Sequence, residues 1–323
     1  MTGVLRPLHC ALVAMLALCA ALAHAQGGLT ASAQCPPQAP PASPEATLEA
    51  AERASDRGVL WRISKAGRSS YLYGTLHVGK LDWTFPGPQT RAALAASDTI
   101  ALELDVMDPQ VRERLRLPAD AAVPALPPAL RERLDRQIDA ACVPRESLAT
   151  QHPVMVAMTL SVLAARWEGL DPGYGQEFVL AAFARSSAKV AVSLETPELQ
   201  MDTLLPKQPT QAERMIVQSL EQLESGGARK VIARMASAWE RGALDELADY
   251  EKWCDCVASA DDRALLARVN DERNPGLAER IDALHAQGKA LFAAVGALHM
   301  TGPQALTTLL AARGFRVERV DFR

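Results

Sequence analysis

Two histidines follow glycines in matching sequence contexts near opposite ends of the chain. His77 lies in "YLYGTLHVG" and His299 lies in "LFAAVGALHM", and in both stretches a Gly-x-Leu step follows an apolar, strand-like run. The end of a strand delivers side chains to a cleft, and a glycine there lets a ligand or a neighbouring backbone approach closely. A single histidine in this setting would most simply bond a loop carbonyl, but two copies predict a shared metal site.

A divalent metal ion with an open position for water needs a third protein ligand besides two imidazoles. Glu103 in "ALELD" is the first candidate, because an unpaired carboxylate among apolar residues would be costly. The alternative is an ordinary outward-facing residue of an alternating strand. Glu195, which closes "VAVSLE", is the second candidate. Two histidines and a carboxylate suit Mn, Co, Zn or Fe without selecting among them, and a spare glutamate would act as general base.

Arg273 stands beside Asn274 at the start of a predicted helix. Its planar guanidinium fork could clamp a carboxylate or a phosphate of a substrate. The alternative is an asparagine helix cap next to a surface arginine. Two further histidines carry weaker signals, since His152 precedes a proline at a predicted helix start and His285 lies in a polar helix, where we expect a solvated position.

The first 25 residues have the layout of a cleavable secretory signal, with one arginine, an apolar run and an Ala-x-Ala site before Gln26. We expect cleavage after Ala25 and export, with a periplasmic location. Leu18 disfavours a lipoprotein signal ending at Cys19, and the short, interrupted apolar run disfavours an uncleaved anchor. No later segment is long and apolar enough to span a bilayer, so we expect no transmembrane segment in the mature chain.

Four cysteines follow the signal segment, and export would place them in an oxidising compartment. Cys35, Cys142, Cys254 and Cys256 can pair in three ways, which sequence does not distinguish. The simplest expectation is a disulfide between Cys142 and one member of the "CDC" pair. A lone Cys-x-Cys is weak evidence for zinc.

Composition bounds the function classes. The chain has 323 residues, 49% of them hydrophobic, which is enough to bury the core of one large domain or two modest ones. Its formal net charge is −4, and it contains no long block of Lys or Arg. Because nucleic-acid-binding proteins carry a basic patch or stripe, we expect no nucleic-acid partner.

The elements that must position the two histidines occur twice. The stretches "YLYGTLH…GPQTRAALAASDTIALELD" and "AAVGALH…GPQALTTLLAARGFRVERVD" each predict a strand, a Gly-x-Leu-His step, a loop, a helix and a second strand. Pro88 and Pro303 are expected in the first turns of the two helices. Two such units predict one central sheet whose strand ends bring His77 and His299 to one cleft.

The remaining patterns complete the predicted organisation, in which a Pro/Ala-rich linker over 26–44 leads into one domain over 45–323. A hairpin with a glycine in its turn covers "VLWRISKAGRSSYLYGTLH", and a strand covers residues 98–106. A mostly helical insertion runs from about residue 109 to 268, interrupted by the strand "VAVSLE". Strands in both terminal thirds around a helical insertion predict an α/β (α+β) fold.

Several segments together resemble the TraB/PrgY/GumN family, to which the Tiki metalloproteases also belong: "YGTLHVG", "ALELD", "LETPELQ", "RNPGLAERI" and "VGALHMTGPQALTTLLAARGFRVERV". The likeness runs from about Val59 to the end of the chain. It implies a fold similar to erythromycin esterase (EreA) and ChaN and, as in the Tiki branch, a metal-dependent peptidase. His77, Glu103 and His299 would then be the metal or catalytic residues.

Other signature positions of the family fall on Glu195, Gln200, Arg273 and Asn274, without a role that the resemblance fixes. "GYGQEF" departs from the family pattern at Gln176 and keeps the acid at the next position, so the departure concerns local packing.

The sequence therefore predicts an exported, metal-dependent hydrolase that acts on a peptide or protein. One alternative is a non-catalytic protein that binds or regulates a peptide, as the pheromone-shutdown members of the family are thought to do. A second alternative is a haem- or iron-binding protein, suggested by the ChaN-like fold and by Tyr71 and Tyr73 close to His77.

Overall fold

The structure, a computed structural model, describes residues 35–116, 125–257 and 259–322. The predicted signal segment and the first nine residues of the predicted linker, 26–34, lie outside this part of the chain. The described residues form a mixed α/β fold, with one six-stranded sheet and a large helical part, which confirms the predicted fold class.

The sheet is mixed, and five of its six described strands run in the same direction. In spatial order the strands are β4, β3, β5, β2, β1 and β6, and β1 is antiparallel to both of its neighbours. The carboxyl ends of four neighbouring strands, from β4 to β2, therefore meet at one edge of the sheet. The strands are β1 (Val59–Lys65), β2 (Arg68–Thr75), β3 (Thr99–Leu102), β4 (Val190–Ser193), β5 (Leu291–Gly296) and β6 (Arg316–Arg319).

The predicted hairpin is confirmed as the pair β1 and β2. Its two-residue turn is Ala66–Gly67, and both residues have positive φ, +52° and +74°. Two consecutive residues in the left-handed region define the tight hairpin turn whose twist matches that of the flanking strands. The turn thereby fixes the register that places His77 just beyond the end of β2.

The described helices lie mostly between β3 and β5. They are α1 (Pro44–Glu52), α2 (Pro88–Ala95), α3 (Pro109–Arg114), α4 (Pro128–Ala140), α5 (Arg145–Leu148), α6 (Pro153–Leu163), α7 (Gln176–Ser186), α8 (Pro197–Leu204), α9 (Pro209–Glu224), α10 (Gly227–Glu240), α11 (Leu244–Ala248), α12 (Tyr250–Trp253), α13 (Ala260–Val269), α14 (Asn274–Ala286) and α15 (Leu306–Ala312).

Helices cover both faces of the sheet, so its central strands are buried on two sides. In β5, Phe292 and Ala294 point into one core, while Leu291, Ala293 and Val295 point into the other. This explains why the strand reads as a continuous apolar run rather than an alternating one. Helices α2, α7 and α10 cover the first face, and α14 and α15 cover the second. A third core lies within the insertion, among α4, α6 and α9.

Trp239 of α10 joins the helical insertion to the sheet. Its indole N–H donates a 2.7 Å hydrogen bond to the carbonyl of Gly74 at the end of β2, and its ring packs against Trp83 and Tyr73. A β-carbon at Gly74 would lie only 2.7 Å from Cγ2 of Val59, so only glycine fits there. The Gly-x-Leu-His step is thus also a close-packing site.

The disulfides differ from the predicted pairing. Cys35 is bonded to Cys142, and Cys254 is bonded to Cys256. The expectation that Cys142 pairs with a member of the "CDC" motif is wrong, because the two motif cysteines reach each other across a single residue with a Cα separation of 5.1 Å. The long bridge ties the segment before α1 to the end of α4.

The predicted internal repeat is confirmed in its strands and modified in its helices. The first strands of the two units, β2 and β5, are parallel neighbours, so their carboxyl ends lie side by side. Pro88 begins α2 as predicted, but Pro303 lies in a turn three residues before α15, so the prediction that it starts a helix is wrong.

Within the described residues, none of the helices combines the length and apolarity needed to cross a bilayer.

Candidate active site

The candidate residues gather at the carboxyl edge of the sheet. Glu103 follows β3 directly, Glu195 lies two residues after β4, and His77 lies two residues after β2. His299 belongs to a 3₁₀ turn over Ala297–Met300 that follows β5. In an open sheet of parallel strands this edge is where ligands bind.

The strand expected over residues 98–106 ends early, at Leu102. One further ladder bond joins the N–H of Glu195 to the carbonyl of Glu103, at 3.1 Å. The next available N–H, that of Asp105, donates instead to the Ser193 hydroxyl, and the chain turns away from the sheet. Glu103 is therefore at the end of the strand rather than inside it.

Arg273 lies between the two candidate glutamates. Its Nε donates to Oε1 of Glu195 at 2.9 Å, and its Nη2 donates to Oε2 of both Glu103 and Glu195. The third nitrogen, Nη1, donates to the carbonyl of Val269 at 3.0 Å. The guanidinium fork is thus filled by groups of the chain itself, so Arg273 is neither a surface arginine nor a free clamp for a substrate anion.

Gln200 completes the buried network around the two carboxylates. Its amide nitrogen donates to Oε2 of Glu195 at 3.1 Å and to Oε2 of Glu103 at 3.4 Å. Arg273, directly before α14, and Gln200 of α8 therefore hold both glutamates in fixed orientations.

The remaining oxygen of Glu103, Oε1, faces the second glycine motif. It accepts a 2.7 Å hydrogen bond from the N–H of Gly296 and lies 3.7 Å from Nε2 of His299. Burial alone would raise the pKa of this carboxyl, which is 7% exposed, but the nearby His299 and Arg273 lower its pKa to about 2. Glu103 is therefore a fixed carboxylate at neutral pH.

Asn274 determines the tautomer of His299. Its amide nitrogen donates to two carbonyls, those of His299 and Gln304, at 3.2 and 2.8 Å, so its Oδ1 must face the imidazole. That oxygen lies 2.6 Å from Nδ1, which consequently carries the proton. Burial lowers the pKa of His299, so at neutral pH the ring is uncharged and its Nε2 presents a lone pair toward Glu103. The imidazole carries the charge that lowers the pKa of Glu103 only in the acid range where that carboxyl titrates.

His77 is held in the same way by a different oxygen. Its Nδ1 lies 3.1 Å from Oε1 of Glu177, which also accepts a 2.5 Å hydrogen bond from the Thr75 hydroxyl. The Glu177 carboxylate raises the pKa of His77, although water screens the pair because 68% of the imidazole side chain is exposed. Burial would raise the pKa of Glu177, but His77 and Thr75 outweigh it and lower that pKa.

The structure brings together some of the predicted ligands and not others. Glu103 and His299 are in direct contact range, Glu195 is linked to Glu103 through Arg273, and His77 lies at the rim against its own carboxylate. Across residues 35–116, 125–257 and 259–322, no three His, Cys, Asp or Glu side chains stand close enough to hold an ion as they are.

The donor chemistry nevertheless suits a metal ion. Both histidines have Nδ1 tied to an oxygen, which leaves Nε2 free, and metal-binding histidines characteristically have their second nitrogen anchored in this manner. Glu103 and Glu195 share the Arg273 guanidinium, and Glu177 faces His77, so the three carboxylates outnumber the cations here even when His77 is protonated.

Two residues have surroundings in the structure that their sequence context does not predict. Glu177 holds His77 in place, and the only sequence signal for this role is that it keeps the acid of the family pattern next to Gln176. His285 was expected in solvent but is buried, with Nδ1 2.9 Å from the Ser70 hydroxyl and Nε2 3.1 Å from the Lys65 carbonyl. Its neighbours in sequence gave no sign of these long-range partners.

A cavity of about 620 Å³ lies between α9 and α13, with Arg214, Met215 and Leu265 among its lining residues. None of the site side chains lines it. Because a reaction centre needs convergent titratable groups with shifted pKa values, we place the candidate site at the sheet edge and not in this cavity.

Comparison with known proteins supports the family assignment. The sequence model described as the TraB/PrgY/gumN family matches residues 59–319, which is most of the chain and contains every residue of the candidate site. Neither a curated protein nor a solved structure gives a match. The chain belongs to the TraB/PrgY/gumN family.

Proposed function

We propose that this protein is an exported hydrolase that cleaves peptides with the help of a divalent metal ion held by His77, Glu103 and His299. The observation that carries the proposal is the free Nε2 of His299, which is fixed by Asn274 and faces an ionised Glu103 at 3.7 Å. A neutral imidazole and a permanent carboxylate at the edge of a sheet are a ready pair of metal ligands.

His77 is the third ligand in this proposal. Its Nδ1 is bound to Glu177, its ring is the exposed member of the set, and β2 and β5 deliver the two histidines to the same edge. Because the His77 ring is exposed, we propose that it joins the other two ligands only when an ion binds. Mn, Co, Zn and Fe all accept two imidazoles and a carboxylate.

The chain's own residues would prepare the site for hydrolysis. Arg273 and the Gly296 N–H hold Glu103 ionised and immobile. Asn274 keeps the proton of His299 on Nδ1, so that Nε2, which faces Glu103, is the nitrogen without a proton. When bound, a divalent ion supplies Lewis acidity that polarises the scissile carbonyl and makes water a stronger nucleophile at neutral pH. Glu195 acts as a positioning residue, since its oxygens are occupied by Arg273 and Gln200.

Peptides are the proposed substrates because the sequence resembles a family with a peptidase branch. Export is proposed from the signal-like residues 1–25 and agrees with the two disulfides, which persist in oxidising compartments. Amino-terminal sequencing of the protein from an exporting host should begin at Gln26. A protein that retains residues 1–25 and stays with the cytoplasmic fraction would overturn the export proposal.

The decisive experiment is elemental mass spectrometry of the purified protein, as wild type and as the His77→Ala/His299→Ala double variant. His152→Asn is the matched control, because His152 caps α6 through the Val154 N–H and asparagine can replace that cap. We expect near-stoichiometric metal in the wild type and the control, and none in the double variant.

A screen of peptide libraries with the same three proteins then tests the activity. Cleavage by wild type and control that is lost in the double variant supports the hydrolase. Absence of metal from the wild type, even after reconstitution, would sink the metal-dependent mechanism and favour a peptide-binding protein without turnover.

A further inference from the structure

The disulfide Cys254–Cys256 joins cysteines separated by one residue, directly after α12. The residue between them, Asp255, has φ of +51°, in the left-handed region that side chains other than glycine adopt at a cost. The bridge and the backbone conformation occur together, and opening the bridge would let Asp255 leave that region.

A bridge this short does little for stability. A disulfide stabilises chiefly by restricting the unfolded chain, and the effect grows with the length of the loop that it closes. Cys35–Cys142 spans 107 positions of sequence, whereas Cys254–Cys256 spans two. The long bridge is therefore a structural staple, and the short one needs another explanation.

The two sulfurs of the short bridge have different surroundings. Cys254 is buried, and its Sγ accepts a 3.1 Å hydrogen bond from the N–H of Cys256. Cys256 is partly exposed, and its Sγ lies 3.2 Å from the Tyr250 hydroxyl, which must be the donor because a disulfide sulfur carries no proton. Each sulfur thus has a donor that would stabilise it as a thiolate.

Contacts outside the bridge hold the loop in place. Gln218 and Gln222, one turn apart on α9, donate to the carbonyls of Cys256 and Asp255 at 3.1 and 3.0 Å. These bonds do not involve sulfur, so the loop keeps its support when the disulfide opens. The reduced and oxidised forms should therefore share one fold.

We propose that Cys254–Cys256 is a thiol–disulfide exchange site whose partner is a dithiol, carried by a protein or a small molecule. An incoming thiolate attacks Sγ of Cys256, the Cys254–Cys256 bond breaks, and Cys254 leaves as a thiolate bound by the Cys256 N–H. The second thiol of the partner, as thiolate, then attacks the partner sulfur of the mixed disulfide and releases Cys256. The protein gains two thiols and the partner becomes a disulfide, so electrons and atoms balance.

The first test counts thiols in the wild-type protein across a graded ratio of reduced to oxidised dithiothreitol. The difference in loop length predicts that Cys254–Cys256 opens at a ratio of reduced to oxidised dithiothreitol on the order of 100-fold lower than the ratio that opens Cys35–Cys142. Alkylation and mass spectrometry of peptides identify which pair has opened, and circular dichroism should stay unchanged after the first step. Simultaneous opening of both pairs, or opening of Cys35–Cys142 first, would overturn the proposal.

The second test locates the attack. The wild-type protein is treated with reduced glutathione, a monothiol that cannot resolve the mixed disulfide through a second thiol of its own, and is then quenched with iodoacetamide. We expect glutathione on Cys256 and the alkyl group on Cys254. Glutathione found mainly on Cys254, or distributed evenly, contradicts the assigned direction of exchange.

Variants supply an independent check. In Cys254→Ser the remaining Cys256 should react quickly with oxidised glutathione, and in Cys256→Ser the buried Cys254 should react at least about 10-fold more slowly. Equal rates in the two variants would count against the asymmetry on which the proposal rests.

Discussion

The side-chain oxygen of Asn274 accepts a 2.6 Å hydrogen bond from Nδ1 of His299, and this contact decides which nitrogen of the ring is free. The asparagine cannot be turned around, because its amide nitrogen is committed to two backbone carbonyls. A residue at the first turn of α14 thereby controls the proton of a histidine on the turn that follows β5. The candidate metal ligand is set in its ligating form before any ion binds.

Replacing Asn274 with leucine should free the tautomer of His299. The variant leaves the Nδ1–H and two carbonyls without partners, so we expect a loss of about 3 kcal/mol of folding free energy. It should also weaken metal binding by about 10- to 100-fold. Nitrogen-15 NMR of labelled histidine should show one tautomer in the wild type and exchange between two in the variant.

Asn270→Ala is the matched control for this variant. The side-chain amide of Asn270 donates a 3.2 Å hydrogen bond to the carbonyl of Leu298, in the 3₁₀ turn that contains His299, but does not touch the imidazole ring. It should cost about 1 kcal/mol and leave the nitrogen-15 pattern of His299 unchanged. If Asn274→Leu preserves the single Nδ1–H tautomer, Asn274 does not determine the tautomer of His299 as we infer.

Arg273 is predicted to be the most costly single side chain of the site to remove. Arg273→Gln leaves Glu103 and Glu195 buried without their shared cation, and such a change typically destabilises by about 3–5 kcal/mol. Arg273→Lys keeps the charge but loses the fork, so we expect an intermediate loss. Urea denaturation followed by circular dichroism measures both.

Arg214→Gln provides the comparison for Arg273, since the ion pair of Arg214 with Asp261 is exposed on both sides. Exposed pairs contribute little, so this variant should change the unfolding free energy by less than about 1 kcal/mol. Equal effects of Arg214→Gln and Arg273→Gln would show that the buried network does not hold the two glutamates as described.

The sequence predicted the parts of the fold that depend on local pattern. The apolar run of β5, the Ala66–Gly67 turn and the repeated Gly-x-Leu-His step each carry their signal within a few residues. Because neighbouring parallel strands end at the same edge, the repeat also predicted correctly that the strands leading to His77 and His299 end side by side.

The partners of these residues could not be predicted, since they are distant in sequence. Arg273 meets Glu103 across 170 positions, and His285 meets Ser70 across 215. A polar residue in a helix is expected to face solvent unless its buried partner is known, and for this reason the sequence predicts a solvated position for His285 that the structure contradicts. A different limit applies to the disulfides, because spacing does not reveal that Asp255 adopts a left-handed conformation that accompanies the bond between Cys254 and Cys256.

Glu103 predicts a specific pH dependence for the metal-free protein. Its pKa is about 2 in the folded state and about 4.3 in an unfolded chain, so the folded state favours the ionised form. The resulting stabilisation, on the order of 3 kcal/mol, is fully present above about pH 5 and is lost as the pH falls toward 2. Glu103→Gln lacks this contribution.

The measurement is the difference in unfolding free energy between wild type and Glu103→Gln, in EDTA, from pH 7 to pH 2. The difference should narrow in the acid range, while Glu113→Gln, which alters an exposed pair with Arg116, should stay within about 0.5 kcal/mol of wild type. A difference that is constant with pH would mean that Glu103 is not held as a carboxylate by its neighbours.

Trp239 should behave as the anchor between the helical insertion and the sheet. Trp239→Phe keeps an aromatic ring but removes the donor to the Gly74 carbonyl, so we expect a loss of about 2 kcal/mol. Trp239→Ala also empties a fully buried site and should cost about 3–5 kcal/mol of unfolding free energy.

The control is Trp167→Phe, at a half-exposed tryptophan of the insertion, which should cost less than about 1 kcal/mol. Because these changes alter fluorescence, the unfolding free energies are measured by far-ultraviolet circular dichroism in urea. A Trp239→Phe variant as stable as the wild type would show that apolar packing alone joins the insertion to β2, and that the hydrogen bond to Gly74 contributes nothing measurable.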